Sequence, residues 1–375
     1  HVLTKVKWPP QLRVAPVFLV VGFVVALGIY LGLATRGRAL GKVALRDIGT
    51  AGPLRQRLER WVVHLGRWGI EAAIAAAVVF AALVAFGLQP VLSRHFSFKP
   101  VLESFSRYAK GDEALAKYRV EGHGTGFYSS REMQDLPSQD KVIEFLRQPK
   151  RAFALVAADE LAALDAGLKG AKVSYFVVDA SSSRFLLLSN RLETGEQDQN
   201  PLVKNVWMAP QPPTPIPTAE GTGGVRFDWH AQQPPWPAPR VPAFAEFANS
   251  IELVGADYPP SLRRPGKIPL VLHFRVNQKP PAGYKIFVHF DASGSPRLLG
   301  DHAPLDGAFP TSHWLPGEYI KDLVEVDVPL MTTPAGRYTL YLGFWPGGEQ
   351  RRLKITGGNI NDGVDRARVG TIDIR

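Results

Sequence analysis

The chain has 375 residues, a formal net charge of +10 and no cysteine. That length exceeds one ordinary domain, and the lack of Cys excludes a disulfide framework, a thiolate metal site and a cysteine nucleophile. Much of the positive excess lies ahead of the second apolar run, which argues for membrane topology and against a nucleic-acid partner.

The chain begins at His1 rather than Met, so residues 1–13 read as the tail of something longer, cut at its N-terminus. The run Val14 to Ala34, flanked by Arg13 and Arg36, predicts a transmembrane helix over 14–35, with Gly28 and Gly32 at a spacing that lets helix backbones approach closely. Residues 36–68 carry Arg36, Arg38, Lys42, Arg46, Arg55, Arg57, Arg60 and Arg67 against Asp47 and Glu59, as expected of a cytoplasmic loop. A second apolar run over 69–92 has Glu71 as its one charge between Ile70 and Leu88 and ends at Gln89-Pro90. About 20 such residues span the ~30 Å core of a bilayer. This pair places the chain in a bacterial inner (cytoplasmic) membrane, with everything after the second run outside.

Residues 93–199 alternate between helix and strand periods. Val101, Leu102, Phe105 and Ala109 mark a helix stopped by Gly111, Ser138 caps a helix through Leu146, and Asp159 caps another, Glu160 to Ala166, ended by Gly167. Leu115–Val120, Thr125–Ser129, Ala152–Ala157, Val173–Val178 and Arg184–Ser189 read as strands, giving an extracytoplasmic α/β domain. The turn Gly122–Gly126 lacks the Lys-Ser/Thr of a phosphate loop and reads as a plain turn.

Residues 200–243 form a proline-dense linker, extended and semi-rigid, whose Trp207, Phe227, Trp229 and Trp236 need burial against a neighbouring domain or a sugar to stack on. Residues 244–375 carry alternating strands divided by Pro/Gly turns, clearest in Leu270–Val276 and Lys285–Phe290. That pattern signals an antiparallel β-sandwich. Together the elements predict a membrane α-helical hairpin followed by a small α/β domain and a C-terminal antiparallel β-sandwich.

Few residues point to chemistry. His273 and His289 sit in strands and read as packing residues; His302, Asp306 and His313 are spread over loops without metal-ligand spacing. No catalytic residue, metal or cofactor is assigned. A glycan-binding sandwich offers exposed aromatic rings, and Trp314, Tyr319 and Trp345 are the candidate substrate-binding residues, each with a core role as the alternative.

Several runs carry a resemblance: Gly126-Phe-Tyr-Ser-Ser-Arg131, then Ala152-Phe-Ala-Leu-Val-Ala-Ala-Asp-Glu-Leu161, then Val173-Ser-Tyr-Phe-Val-Val178. In the tail there are Trp314-Leu-Pro-Gly-Glu318 and Pro334-Ala-Gly-Arg-Tyr338. Following two late apolar helices, they resemble the C-terminal part of the GT-C class of bacterial membrane glycosyltransferases, near the protein mannosyltransferase and aminoarabinose transferase relatives. The resemblance implies transfer of a sugar from a polyprenyl-phosphate-linked donor to an extracytoplasmic glycan or protein acceptor. In that class the catalytic carboxylate lies in the first extracytoplasmic loop, which has no counterpart here, so this portion is expected to be non-catalytic and to support or bind the acceptor. The other expectation is a membrane-anchored extracytoplasmic module that binds a glycan or a protein.

Overall fold

The structure is a computed structural model that describes residues 97–120, 132–182, 184–210, 214–216, 226–228, 234–348 and 351–375, with isolated positions between 20 and 86. The expected helices at 14–35 and 69–92, the basic loop 36–68, the strand at Thr125–Ser129 and the runs Gly122–Gly126 and Gly126–Arg131 lie essentially outside the described residues.

Two compact units divide the chain. In the first, the described element is helix α1 (Lys99–Tyr108), which belongs to it through Arg107. Val101, Leu102 and Phe105 form its buried stripe, and Gly111, at φ 65°, turns the chain after it.

The second unit begins with a five-stranded sheet, here sheet 1. Its strands are β1 (Ala114–Tyr118), β2 (Gln134–Asp135), β3 (Ala152–Ala157), β4 (Phe176–Asp179) and β5 (Phe185–Ser189), in the order β2-β1-β3-β5-β4. β1 runs parallel to β2 and β3, while β5 pairs antiparallel with β3 and β4. Helices α2 (Gln139–Leu146) and α3 (Leu161–Gly170) add Val142, Leu146, Leu161, Leu164 and Leu168 to its core. The Ser138 side chain accepts from the Lys141 amide at the start of α2. Asp159 caps nothing: a single 3-10 turn, Ala158–Glu160, leads into α3 instead.

Two further sheets pack face to face. Sheet 2 contains β6 (Val206–Met208), β9 (Val241–Phe247), β10 (Ile251–Asp257), β12 (Gly266–Val276), β15 (Glu318–Val328) and β17 (Ile355–Gly358), ordered β17-β9-β10-β12-β15-β6. Sheet 3 contains β11 (Ser261–Leu262), β13 (Lys285–Asp291), β14 (Leu298–Leu299), β16 (Gly336–Trp345) and β18 (Ala367–Ile374), ordered β11-β18-β16-β13-β14. Strands β7 (Thr214–Ile216) and β8 (Arg226–Asp228) pair separately. The period-2 pattern explains the packing: Ile268, Leu270, Leu272, Phe274 and Val276 of β12 face inward, as do Tyr338, Leu340, Leu342 and Phe344 of β16. Phe344 meets Phe247 and Phe274 with ring centroids 5.1 and 5.4 Å apart.

The expected fold class, a membrane helical hairpin ahead of an α/β domain and a sandwich, is corrected by this architecture. Among the described residues the protein is mainly β-sheet, and no helix is long and apolar enough to cross a membrane. The longest described helices, α1 and α3, have 10 residues; at 1.5 Å per residue that is about half of a bilayer core. The proline-dense stretch also differs from a simple linker, because β6 forms an edge strand of sheet 2 and β9 an inner one. One contiguous hydrophobic cluster runs from sheet 1 and its helices through the sandwich.

Candidate functional site

The sequence-predicted aromatics fall in three different environments. Trp314 is fully buried, with ring centroids 5.9 and 6.2 Å from those of Phe274 and Phe344. Its indole N–H donates to the Phe309 carbonyl at 2.9 Å. It has no ring face to offer a ligand.

The residues after Trp314 make a turn that joins two layers. Pro316 and Gly317 occupy its centre, Gly317 has φ 96°, and the Glu318 amide donates to the Leu315 carbonyl at 3.1 Å. Pro followed by a positive-φ Gly is the signature of a type II turn. The Glu318 carboxylate accepts from the Leu315 amide at 2.8 Å and from Lys169 of α3 at 2.9 Å. Lys169 also donates to Asp165 at 2.7 Å, Tyr175 donates to Asp165 at 2.6 Å, and Asn200 donates to the Tyr175 oxygen at 2.9 Å. Two carboxylates share one ammonium here. Burial pulls the Lys169 ammonium down, but Glu318 and Asp165 outweigh it and raise its pKa. Burial, with Asp165 adding to it, pushes the Glu318 carboxyl up. Burial likewise raises the Tyr175 phenol, which stays protonated as a donor.

Tyr319 lies on the outer face of sheet 2, opposite Trp207 of β6, and the two rings meet edge-on at 5.4 Å. The Arg275 guanidinium lies 5.7 Å from the Tyr319 ring and pairs with Glu252 at 2.8 Å. Trp236 packs on the same small cluster, with the Lys321 ammonium 5.3 Å from its ring. Trp207 and Trp236 of the proline-dense stretch thus pack against the sandwich.

Trp345 belongs to a different surface, the outer face of sheet 3. Register pairs Lys285 with Trp345, Phe287 with Gly343 and His289 with Tyr341, so these residues share the face opposite the core. A Cβ at Gly343 would lie 2.5 Å from the Phe287 ring, so glycine at this position lets that ring lie flat across β16. His289 stands beside Phe287, ring centroids 5.0 Å apart. Two guanidiniums cover the rings: Arg352 lies 5.0 Å from Phe287 and Arg366 4.2 Å from Tyr341. Arg366 is held by Asp291 and Asp362, and Arg297 grips Asp291 through two bonds of 2.6 and 2.9 Å. Burial alone would push the Asp291 carboxyl up; the two guanidiniums outweigh it and hold it below the usual carboxylate range. Trp345, Tyr341 and Arg352 remain half-exposed on this face.

Of the sequence-predicted candidates only Trp345 lies on this face; Tyr341, Phe287, Arg352 and Arg366 are not among them. A signal was present: in Leu340-Tyr-Leu-Gly-Phe-Trp345 the core positions are even and the aromatics at 341 and 345 odd. His302 pairs with buried Asp322. His289 contacts Asp301 at 3.2 Å, and His273 contacts Asp257 at 2.8 Å. Among the described residues no group of three or more His, Asp or Glu could hold a metal ion.

No established protein family and no curated protein matches the chain. Among solved structures it is similar to the CARDB domain of a Pyrococcus furiosus protein in complex with di-metal ions, at 10% identity and a TM-score of 0.19. The match covers 35% of this chain and 90% of that one. Sheets 2 and 3 by themselves make the C-terminal part of the second unit a β-sandwich-like domain.

Proposed function

We propose that this chain is the non-catalytic, acceptor-binding portion of a glycosyltransferase that draws its sugar from a polyprenyl-phosphate-linked donor, and that a glycan acceptor lies on the outer face of sheet 3. The reading places the sandwich on the extracytoplasmic side of a bacterial inner membrane. What supports binding at this face is one observation: Trp345 and Tyr341 present half-exposed rings on one sheet face, with Arg366 over the Tyr341 ring and Arg352 over the buried Phe287 between them. Flat rings on a rigid sheet match the C–H faces of a pyranose, and arginine supplies forked donors for its oxygens. The transfer activity rests on the sequence resemblance alone; a binding module without a transferase partner uses the same face.

Titration of neutral and acidic polysaccharides against the whole chain tests the reading. Losing a central anchor of an interface costs about 2 kcal/mol, roughly thirtyfold in Kd. Trp345→Ala and Tyr341→Ala are each expected to weaken binding by that order. Binding that survives both substitutions rules this face out.

A further inference from the structure

Resting on the glycan reading, we infer that the ligand of this face is an anionic glycan carrying carboxylates, such as a polyuronate. Positive charge remains on this face after internal pairing. Arg297 and Arg366 consume Asp291, Arg366 also takes Asp362, and His289 stands against Asp301. Asp365 accepts from the Ile355 amide at 3.0 Å.

The cations are not consumed in the same way. Arg352 covers Phe287 and donates to the Val364 carbonyl at 2.9 Å, with no carboxylate bound to it among the described residues. Lys285, opposite Trp345, and Arg368, opposite Tyr341, are exposed and carry no ion pair among the described residues. Arg351 and Lys354 add two exposed cations to the segment that docks beside β16, where the Leu353 amide donates to the Phe344 carbonyl at 2.9 Å. A neutral glycan would use the rings and leave these charges to water. A polyuronate stacks its pyranose faces on the rings and meets the guanidiniums with planar carboxylates, which fit their forked donors.

The experiment titrates the full chain with polygalacturonate and alginate, each against its own methyl ester, at low and high salt. The acid forms are expected to bind about tenfold or more tighter than the esters at low salt, with the gap shrinking as salt screens the charges. Arg352→Gln should narrow that gap, while Trp345→Ala weakens acid and ester together. Equal affinity for acid and ester overturns the anionic inference and leaves the glycan reading standing. No binding of either form overturns both. Near-UV circular dichroism checks that Arg352→Gln is folded; if it is not, the exposed pair Lys285→Gln and Arg368→Gln decides the same question.

Discussion

Lys169 on α3 and Glu318 at the head of β15 are 149 positions apart in sequence and meet as an ion pair, with Nζ 2.9 Å from Oε1. The Glu318 side chain is fully buried and that of Asp165, the second acceptor, nearly so. The pair ties the helical layer of sheet 1 to the turn that starts β15.

Removing the ammonium leaves two carboxylates buried without a counter-charge. Breaking a buried pair from one side costs about 3–5 kcal/mol. Lys169→Met is therefore expected to destabilise the second unit by that order in urea unfolding. Adding Glu318→Gln to it should recover part of the loss, because one of the stranded charges is gone. A Lys169→Met protein as stable as the wild type would show that the ion pair is energetically idle.

Trp314 and Trp345 should separate in behaviour. Emptying the fully buried Trp314 site leaves a large cavity, and such truncations cost about 3–5 kcal/mol. Trp314→Ala is expected to unfold early in denaturant, with any loss of glycan binding tracking the loss of fold. Trp345→Ala, at a half-exposed position, is expected to keep most of its stability and lose affinity. The two unfolding curves, measured side by side, check this.

His302 gives the sandwich a pH dependence. Its Nδ1 faces the Gly300 carbonyl at 2.7 Å and its Nε2 faces Asp322 at 2.5 Å, so both nitrogens donate and the ring is an imidazolium. Burial pulls its pKa down, but the hydrogen bond and charge of Asp322 outweigh it and raise the value above the usual 6.5. A raised folded-state pKa contributes stability that is complete below the unfolded value and lost as pH climbs through the folded one. The melting temperature is expected to fall as pH rises above the ordinary imidazole value of about 6.5, and His302→Gln should flatten that slope. A wild-type slope unchanged in the variant would assign the pH dependence to another group.

Much of the strand set was legible from alternating sequence or, as at Ala152–Ala157, from a short continuous apolar run buried on both faces. Lys285–Asp291 and Ala152–Ala157 are strands at the residues their patterns indicate, and Ser138 caps α2. What alternation cannot encode is which layer a short segment joins. Val206–Met208 and Val241–Phe247 sit among prolines and look like linker, yet long-range pairing makes one an edge and the other an inner strand of sheet 2. Trp314 lies in a loop, where no period distinguishes a buried ring from an exposed one. Tyr341 and Phe287 form a surface only through the register of β13 with β16, a relation between distant segments. The apolar runs at 14–35 and 69–92 announce themselves by composition, and the described helices are far shorter than either.

The shared cluster has a consequence for dissecting the protein. A cut in the proline-dense stretch ahead of β9 would strip β6 from sheet 2, bare the aromatic edge at Tyr319 and abandon Glu318 without its lysine. The sandwich is thus no cassette to be excised and assayed alone. Deletions, fusions and the swapping of parts between homologous chains should keep everything from β1 to β18 as one inheritable block.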